Sequence, residues 1–173
     1  MKHWLLLLFT FGTLGILSIA GCNKKNCADI FCGANRQCFE GECYCADGLE
    51  GDSCNQNANR KYVKGYLVYE QQCSGGQGYA GGTPYQTFID SFPNYRYRLN
   101  ISNFLNMGVP VSAIIRTDKA NRGNSLEIPQ QNAGGISVYG IGTINPANGR
   151  ITMNMEYTVG SMNYACTHVF YPQ

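Results

Sequence analysis

The sequence predicts a mainly β chain, with a small disulfide-rich module followed by an antiparallel meander barrel of about eight strands. A β-sandwich is the alternative for the second part. Three observations carry this expectation. The chain has 173 residues, of which 21 are glycine, 12 tyrosine and only 14% charged; glycine serves turns and tyrosine suits strands. Residues 95–102 (YRYRLNIS) and 150–159 (RITMNMEYTV) alternate with a period of two, the signature of a half-buried strand. Six of the nine cysteines crowd into residues 27–54, a stretch too short to bury a core of its own.

The charge is small and unevenly divided. A net charge of +2 points neither to nucleic acid nor to an acidic substrate. Residues 27–54 carry one basic residue against six acidic ones, and residues 60–173 carry nine basic against five acidic. Two modules with different surfaces follow.

Taken in order, residues 1–21 have a short basic start, an apolar run from Trp4 and small residues before Cys22, the layout of a cleaved secretory signal. The alternative is a retained anchor, since Trp4 to Ala20 is at the lower limit for spanning a bilayer. The tetrad Ile19-Ala20-Gly21-Cys22 resembles the bacterial lipobox. That resemblance implies cleavage before Cys22, acylation of its thiol, and a lipid anchor in a bacterial membrane, the outer one by expectation. Multiple acyl chains hold a protein stably where one does not. Cys22 is then the odd cysteine of nine, and eight remain to pair in an exported chain. Residues 22–26 are the anchor and a short spacer. From Cys22 to Cys27 the chain reaches at most about 18 Å.

Residues 27–54 place Cys27, Cys32, Cys38, Cys43, Cys45 and Cys54 in the pattern C-x4-C-x5-C-x4-C-x-C-x8-C. Spacing alone leaves every pairing open. The tight C-x-C followed by C-x2-G-x2-G-x2-C (Cys45, Gly48, Gly51, Cys54) resembles an EGF-like module of the short tenascin type. The resemblance implies the pairs Cys27 with Cys38, Cys32 with Cys43, and Cys45 with Cys54. Zinc is the competing reading, but ligation needs reduced thiolates, which an exported chain does not keep. Calcium is rejected because Asn23, Lys24, Lys25 and Asn26 supply no carboxylate before the first cysteine. Such a module is expected to act as a spacer or an interaction surface.

Residues 55–59 read as a polar linker, and residues 60–173 as the β-domain. Its strands are expected at 61–72, 85–91, 95–102, 109–117, 125–128, 136–144, 150–159 and 164–171. Turn chemistry separates them, with Asn148-Gly149 the clearest hairpin signal. Cys73 ends the first of these strands and Cys166 lies in the last. A bridge between them needs their α-carbons within about 7 Å, which seats strand one beside strand eight and favours a closed barrel over a sandwich. The segment GGISVYGIGTINPANGRITMNMEY resembles uncharacterised β-domain lipoproteins of Bacteroidota-type bacteria, and this implies no activity.

Little catalytic chemistry is visible. His168 is the only histidine beyond the signal region and shares a strand face with Cys166 and Phe170; a hydrogen-bonded core position is expected for it. Glu70, Asp90, Asp118, Glu127 and Glu156 show no paired arrangement of the kind glycoside hydrolysis needs. GGQGYAGG (75–82) has no G-K-[ST] ending to hold phosphate. No enzyme, cofactor or metal is therefore expected. The expectation is a lipid-anchored binding, adhesion or structural module, with a protein or carbohydrate ligand on the β-domain and no nucleic acid. The alternative is a lipocalin-like carrier of a small apolar ligand, its barrel lined by the adaptable Met153 and Met155.

Overall fold

In the computed structural model, residues 27–74, 76–116 and 123–173 are described. The signal region and the proposed lipidation at Cys22 lie outside them. The first 31 described residues form the cysteine module. Strand β1 (Arg36–Phe39) turns through Glu40 and Gly41, both at positive φ, into β2 (Glu42–Cys45). Strand β3 (Leu49–Glu50) pairs with β4 (Gln56–Asn57). Three disulfides, Cys27–Cys38, Cys32–Cys43 and Cys45–Cys54, hold these pieces, in place of the core that so short a segment lacks.

A 3-10 turn, Ala58–Lys61, then leads into eight strands: β5 (Lys64–Gln71), β6 (Tyr85–Ser91), β7 (Arg98–Phe104), β8 (Val109–Arg116), β9 (Ser125–Ala133), β10 (Ile136–Ile144), β11 (Ile151–Val159) and β12 (Met162–Pro172). Each pairs antiparallel with its neighbours in sequence, and β12 returns to β5, closing the barrel. The domain is therefore a barrel and not a sandwich. Its seam runs from Pro172 opposite Tyr66 to Thr167 opposite Gln71. One step beyond, Ser74 N–H donates to Ala165 O (2.8 Å) and Cys73 is bonded to Cys166.

Local chemistry explains where strands run past or short of their pattern. Pro129 cannot donate to a ladder, so the alternation suggests a strand ending at Ile128. The chain instead slips register between Ile128 and Gln131 against β10 and continues to Ala133, the bulge absorbing the proline. Tyr95 and Tyr97 alternate like strand residues but belong to the preceding turn, where Arg98 lies over both rings at 4.9 and 6.0 Å. The Gly134-Gly135 hairpin has both residues at positive φ (56° and 83°), as a two-residue turn matched to strand twist requires. At Asn148-Gly149 only Gly149 is left-handed, and the pair closes a loop spanning 145–150 instead of a two-residue turn.

The inward faces of the strands make one core, which includes Tyr66, Ile89, Leu99, Phe104, Ile128 and Phe170. Gly140 and Gly142 also point inward, directly opposite Met155 and Met153. A β-carbon on Gly142 would sit 2.4 Å from Met153 Cγ, so the methionines occupy the space that the glycines leave. Small residues facing large ones fit a narrow barrel. Outward positions on β11 are Thr152, Asn154, Glu156 and Thr158. On β11, then, apolar side chains face in and polar ones out, the reverse of a membrane-spanning strand.

The cysteine module packs at the end of the barrel where β5, β7, β9 and β11 begin. The stretch read as a linker is part of this joint. Ala58 is fully buried, its N–H donates to Gly48 O at 2.9 Å, and Tyr62 donates from its hydroxyl to Gly123 O at 2.8 Å. Lys61 pairs with Glu50 of the module and donates to Asn124 Oδ1 of the barrel at 2.8 Å. Every described basic residue of the β-domain, including Lys61, Lys64, Arg96, Arg98, Arg116 and Arg150, lies at this end. The basic end thus meets the acidic module. Lys61→Ala is expected to cost only about 1 kcal/mol, since the pair is partly exposed. Amide hydrogen exchange should nonetheless accelerate around Leu49 and Glu50 while the barrel strands stay protected; unchanged exchange there would remove Lys61 from the joint.

Candidate functional site

Two features of the barrel stand out from its packing, one buried and one exposed. The buried one lies at the end far from the module, and strand alternation builds it. Strand β5 turns Tyr66, Val68 and Glu70 inward, and β12 turns Cys166, His168 and Phe170 inward. The seam register sets His168 directly opposite Glu70. Tyr157 of β11 and Tyr85 of β6 complete the group. The Glu70 side chain is 1% exposed and His168 fully buried.

Glu70 ties down the loop of residues 72–84. Its Oε1 accepts a hydrogen bond from the Tyr157 hydroxyl and its Oε2 one from Ala80 N–H at 2.6 Å. Tyr79 N–H donates to Tyr157 Oη at 3.3 Å. The described part of the glycine-rich stretch, residues 76–82, therefore covers the barrel end through Tyr79 and Ala80. Its neighbour, the β7–β8 connection, is pinned by Asn103, which donates to Gln86 O and accepts from Gly108 N–H. That connection sends Leu105 into the core at a φ of +52°.

His168 stacks on Phe104 and meets Tyr157 edge-on, with centroids 6.3 and 5.7 Å apart. Among the described residues, neither of its ring nitrogens has a hydrogen-bond partner, and neither has the buried Tyr85 hydroxyl. Burial lowers the His168 pKa from 6.5 to about 3. It therefore stands neutral, and its Nε2 at 3.6 Å from Glu70 Oε1 makes no ion pair. Burial, and next the hydrogen bond to Glu70, push the Tyr157 phenol upward; burial and next the charge of Glu70 do the same at Tyr85. Both stay protonated.

The ligand atoms of Glu70, Cys166 and His168 lie within 4.8 Å of one another. With Cys166 bonded to Cys73, however, its sulfur is no thiolate, and the set is not a metal centre in the bridged chain. Sealed from solvent, the group does not reach a substrate either. The sequence places His168 and Cys166 on one face and, by alternation, turns Tyr157 inward, but it does not bring Tyr157 to Glu70. Glu70 was legible in principle, because it follows Tyr66 and Val68 at inward positions and the cysteine bridge sets its strand beside that of His168.

The exposed feature crosses the outer face of the same seam. Tyr171 stands opposite Leu67, and Val169 opposite Tyr69. The Tyr69 and Tyr171 rings meet edge-on at 5.4 Å, and with Leu67 and Gln71 they line a depression of about 230 Å³. Phe88, 47% exposed on the adjoining strand, extends the surface. Of the remaining tyrosines, Tyr44 lies in β2 of the module and Tyr139 is exposed on β10. Tyr62, Tyr66, Tyr85 and Tyr157 are buried, Tyr79 and Tyr164 pair beside the cover loop, and Tyr95 with Tyr97 flanks Arg98. A groove of about 620 Å³ also runs between module and barrel, lined by polar groups including Arg36, Glu42, Asp52 and Lys61.

Comparison of the chain with protein-family models, with curated proteins and with solved structures finds no match.

Proposed function

We propose that the chain is a membrane-tethered, non-catalytic binding module: a lipidated Cys22, an EGF-like stalk, and a barrel head that recognises a protein or carbohydrate through its seam. The observation that carries this reading is the apolar surface of Leu67, Tyr69, Tyr171 and Phe88, gathered about one depression on the outer face of the seam. Tyrosine offers a flat apolar face with a hydroxyl at its rim, which suits sugars and protein side chains alike. An exposed apolar patch in a polar surround is a common mark of an interaction site. Met153 and Met155, buried opposite Gly142 and Gly140, take up interior space that the enclosed cavity of a carrier would need, which favours this reading.

The exported chain carrying Cys22→Ser provides the test. It should be retained on at least one member of a panel of immobilised glycans and extracellular-matrix proteins. It should leave the fluorescence of anilinonaphthalene sulfonate at its buffer level. Uptake of that apolar probe without any retention would turn the reading to a carrier. The tether has its own test: Cys22→Ser should move the protein from the membrane fraction to the soluble one, and a variant that stays with the membrane contradicts acylation at this residue.

A further inference from the structure

We propose that Glu70, Cys166 and His168 form a site for a zinc-like divalent cation, kept closed in the oxidised chain by the bridge from Cys166 to Cys73. Oxygen, nitrogen and sulfur donors together are the set that borderline-soft zinc takes. Their ligand atoms already converge within 4.8 Å. His168 Nε2 and Glu70 Oε1 stand 3.6 Å apart, close to the roughly 3.4 Å between two ligands held about 2.0–2.1 Å from a tetrahedral ion. Both ring nitrogens of the fully buried His168 lack a hydrogen-bond partner among the described residues, and a bound ion is one explanation of such a group.

The surroundings support the ligands. Tyr157 donates to Glu70 Oε1 and lies 3.5 Å from Cys166 Sγ, while Ala80 N–H holds Oε2. Outer hydrogen bonds of this kind orient ligands. Gly78 packs directly against the cluster, since a β-carbon there would lie 2.6 Å from Glu70 Oε2 and 2.8 Å from Cys73 Sγ. Cys73 is thus next to the site and supplies a fourth donor once freed.

The opening step is thiol–disulfide exchange with a cyclising dithiol. The dithiol attacks the Cys73–Cys166 bond and closes on itself as a disulfide. Two electrons and two protons pass to the cysteine sulfurs, giving two thiols. On binding the cation, each ligating thiol releases its proton to water.

Cys73→Ser in the exported chain tests this, because it frees Cys166 while leaving the module's bridges intact. With Co²⁺ alone as probe, the variant should bind one ion and show the intense visible absorption of tetrahedral cobalt thiolate, and Zn²⁺ should displace it. Adding His168→Ala or Glu70→Gln should weaken binding at least about tenfold, the least that losing even a supporting group brings. A folded Cys73→Ser chain without thiolate absorption overturns the proposal, as does absorption indifferent to His168→Ala. Should Cys73→Ser fail to fold, wild type and Cys73→Ala/Cys166→Ala are compared fully reduced, where module thiols cancel. One extra Zn²⁺ in the wild type supports the site, and equal zinc overturns it.

Discussion

Replacing Cys73 and Cys166 together with alanine should cost about 4–5 kcal/mol, read as a fall in the urea midpoint. The bridge spans a sequence separation of 93, and a loop near 100 residues restricts the unfolded chain by about 4.7 kcal/mol in the chain-entropy model, an upper figure. Against a total stability of about 5–15 kcal/mol for a domain, this is a large share. The bridge also sits where the barrel closes, one step beyond the last pair of the β5–β12 ladder. Its loss should therefore show first as faster amide exchange at Gln71 and Thr167. A stability loss below about 1 kcal/mol would mean that the seam holds itself and the bridge constrains little.

The second large effect is a dependence on pH that His168 imposes. Its pKa falls from 6.5 to about 3 on folding, because burial disfavours the charged ring. The groups facing it are Glu70, Tyr157, Phe104 and the Cys73–Cys166 bridge. Between those two pKa values the unfolded chain binds a proton that the folded chain does not. Stability from this residue is thus complete above pH 6.5 and declines as pH falls toward 3. The slope should approach about 1.4 kcal/mol per pH unit in the middle of that window. His168→Phe keeps the stacking on Phe104 and removes the titration, so the difference between wild type and variant isolates the effect. A difference flat from pH 6.5 to 4 would place the ring in contact with water or an acid that lets it charge.

How legible these features were in the sequence depended on how local their causes are. Strand β11 could be read because its alternation is unbroken from Ile151 to Val159. The seam followed from two cysteines, since a covalent bond between the chain's first and last strands leaves few topologies. Strand β9 was read too short because Pro129 signals an end in one dimension, whereas the bulge that accommodates it is set by β10. Tyr95 and Tyr97 imitated a strand because period two records spacing, not the cation–aromatic contacts of Arg98 that hold them in a turn. Asn55 to Asn59 looked like a linker because polar composition hid the burial of Ala58 against the module joint.

The candidate sites were harder to read for the same reason. Tyr157 reaches Glu70 across 87 residues, and only the closed register brings them together. Tyr69 and Tyr171 are likewise neighbours only through the seam. Composition showed that tyrosine was abundant, but the strand pairing decided which rings pack inward and which remain on the surface.

The seam surface is the centre of this account, and a paired-variant binding measurement tests it most directly. The exported Cys22→Ser chain is compared with the same chain carrying Tyr69→Ala/Tyr171→Ala, and with one carrying Tyr95→Ala/Tyr97→Ala at the module end. Each is titrated against whichever panel member retains the parent. Loss of the seam pair should weaken binding by about 2 kcal/mol or more, roughly thirtyfold, as expected of aromatic anchors, with folding unaffected. The Tyr95/Tyr97 variant should bind like the parent. Equal binding by the seam variant, or loss only in the module-end variant, would contradict recognition through the β5–β12 face.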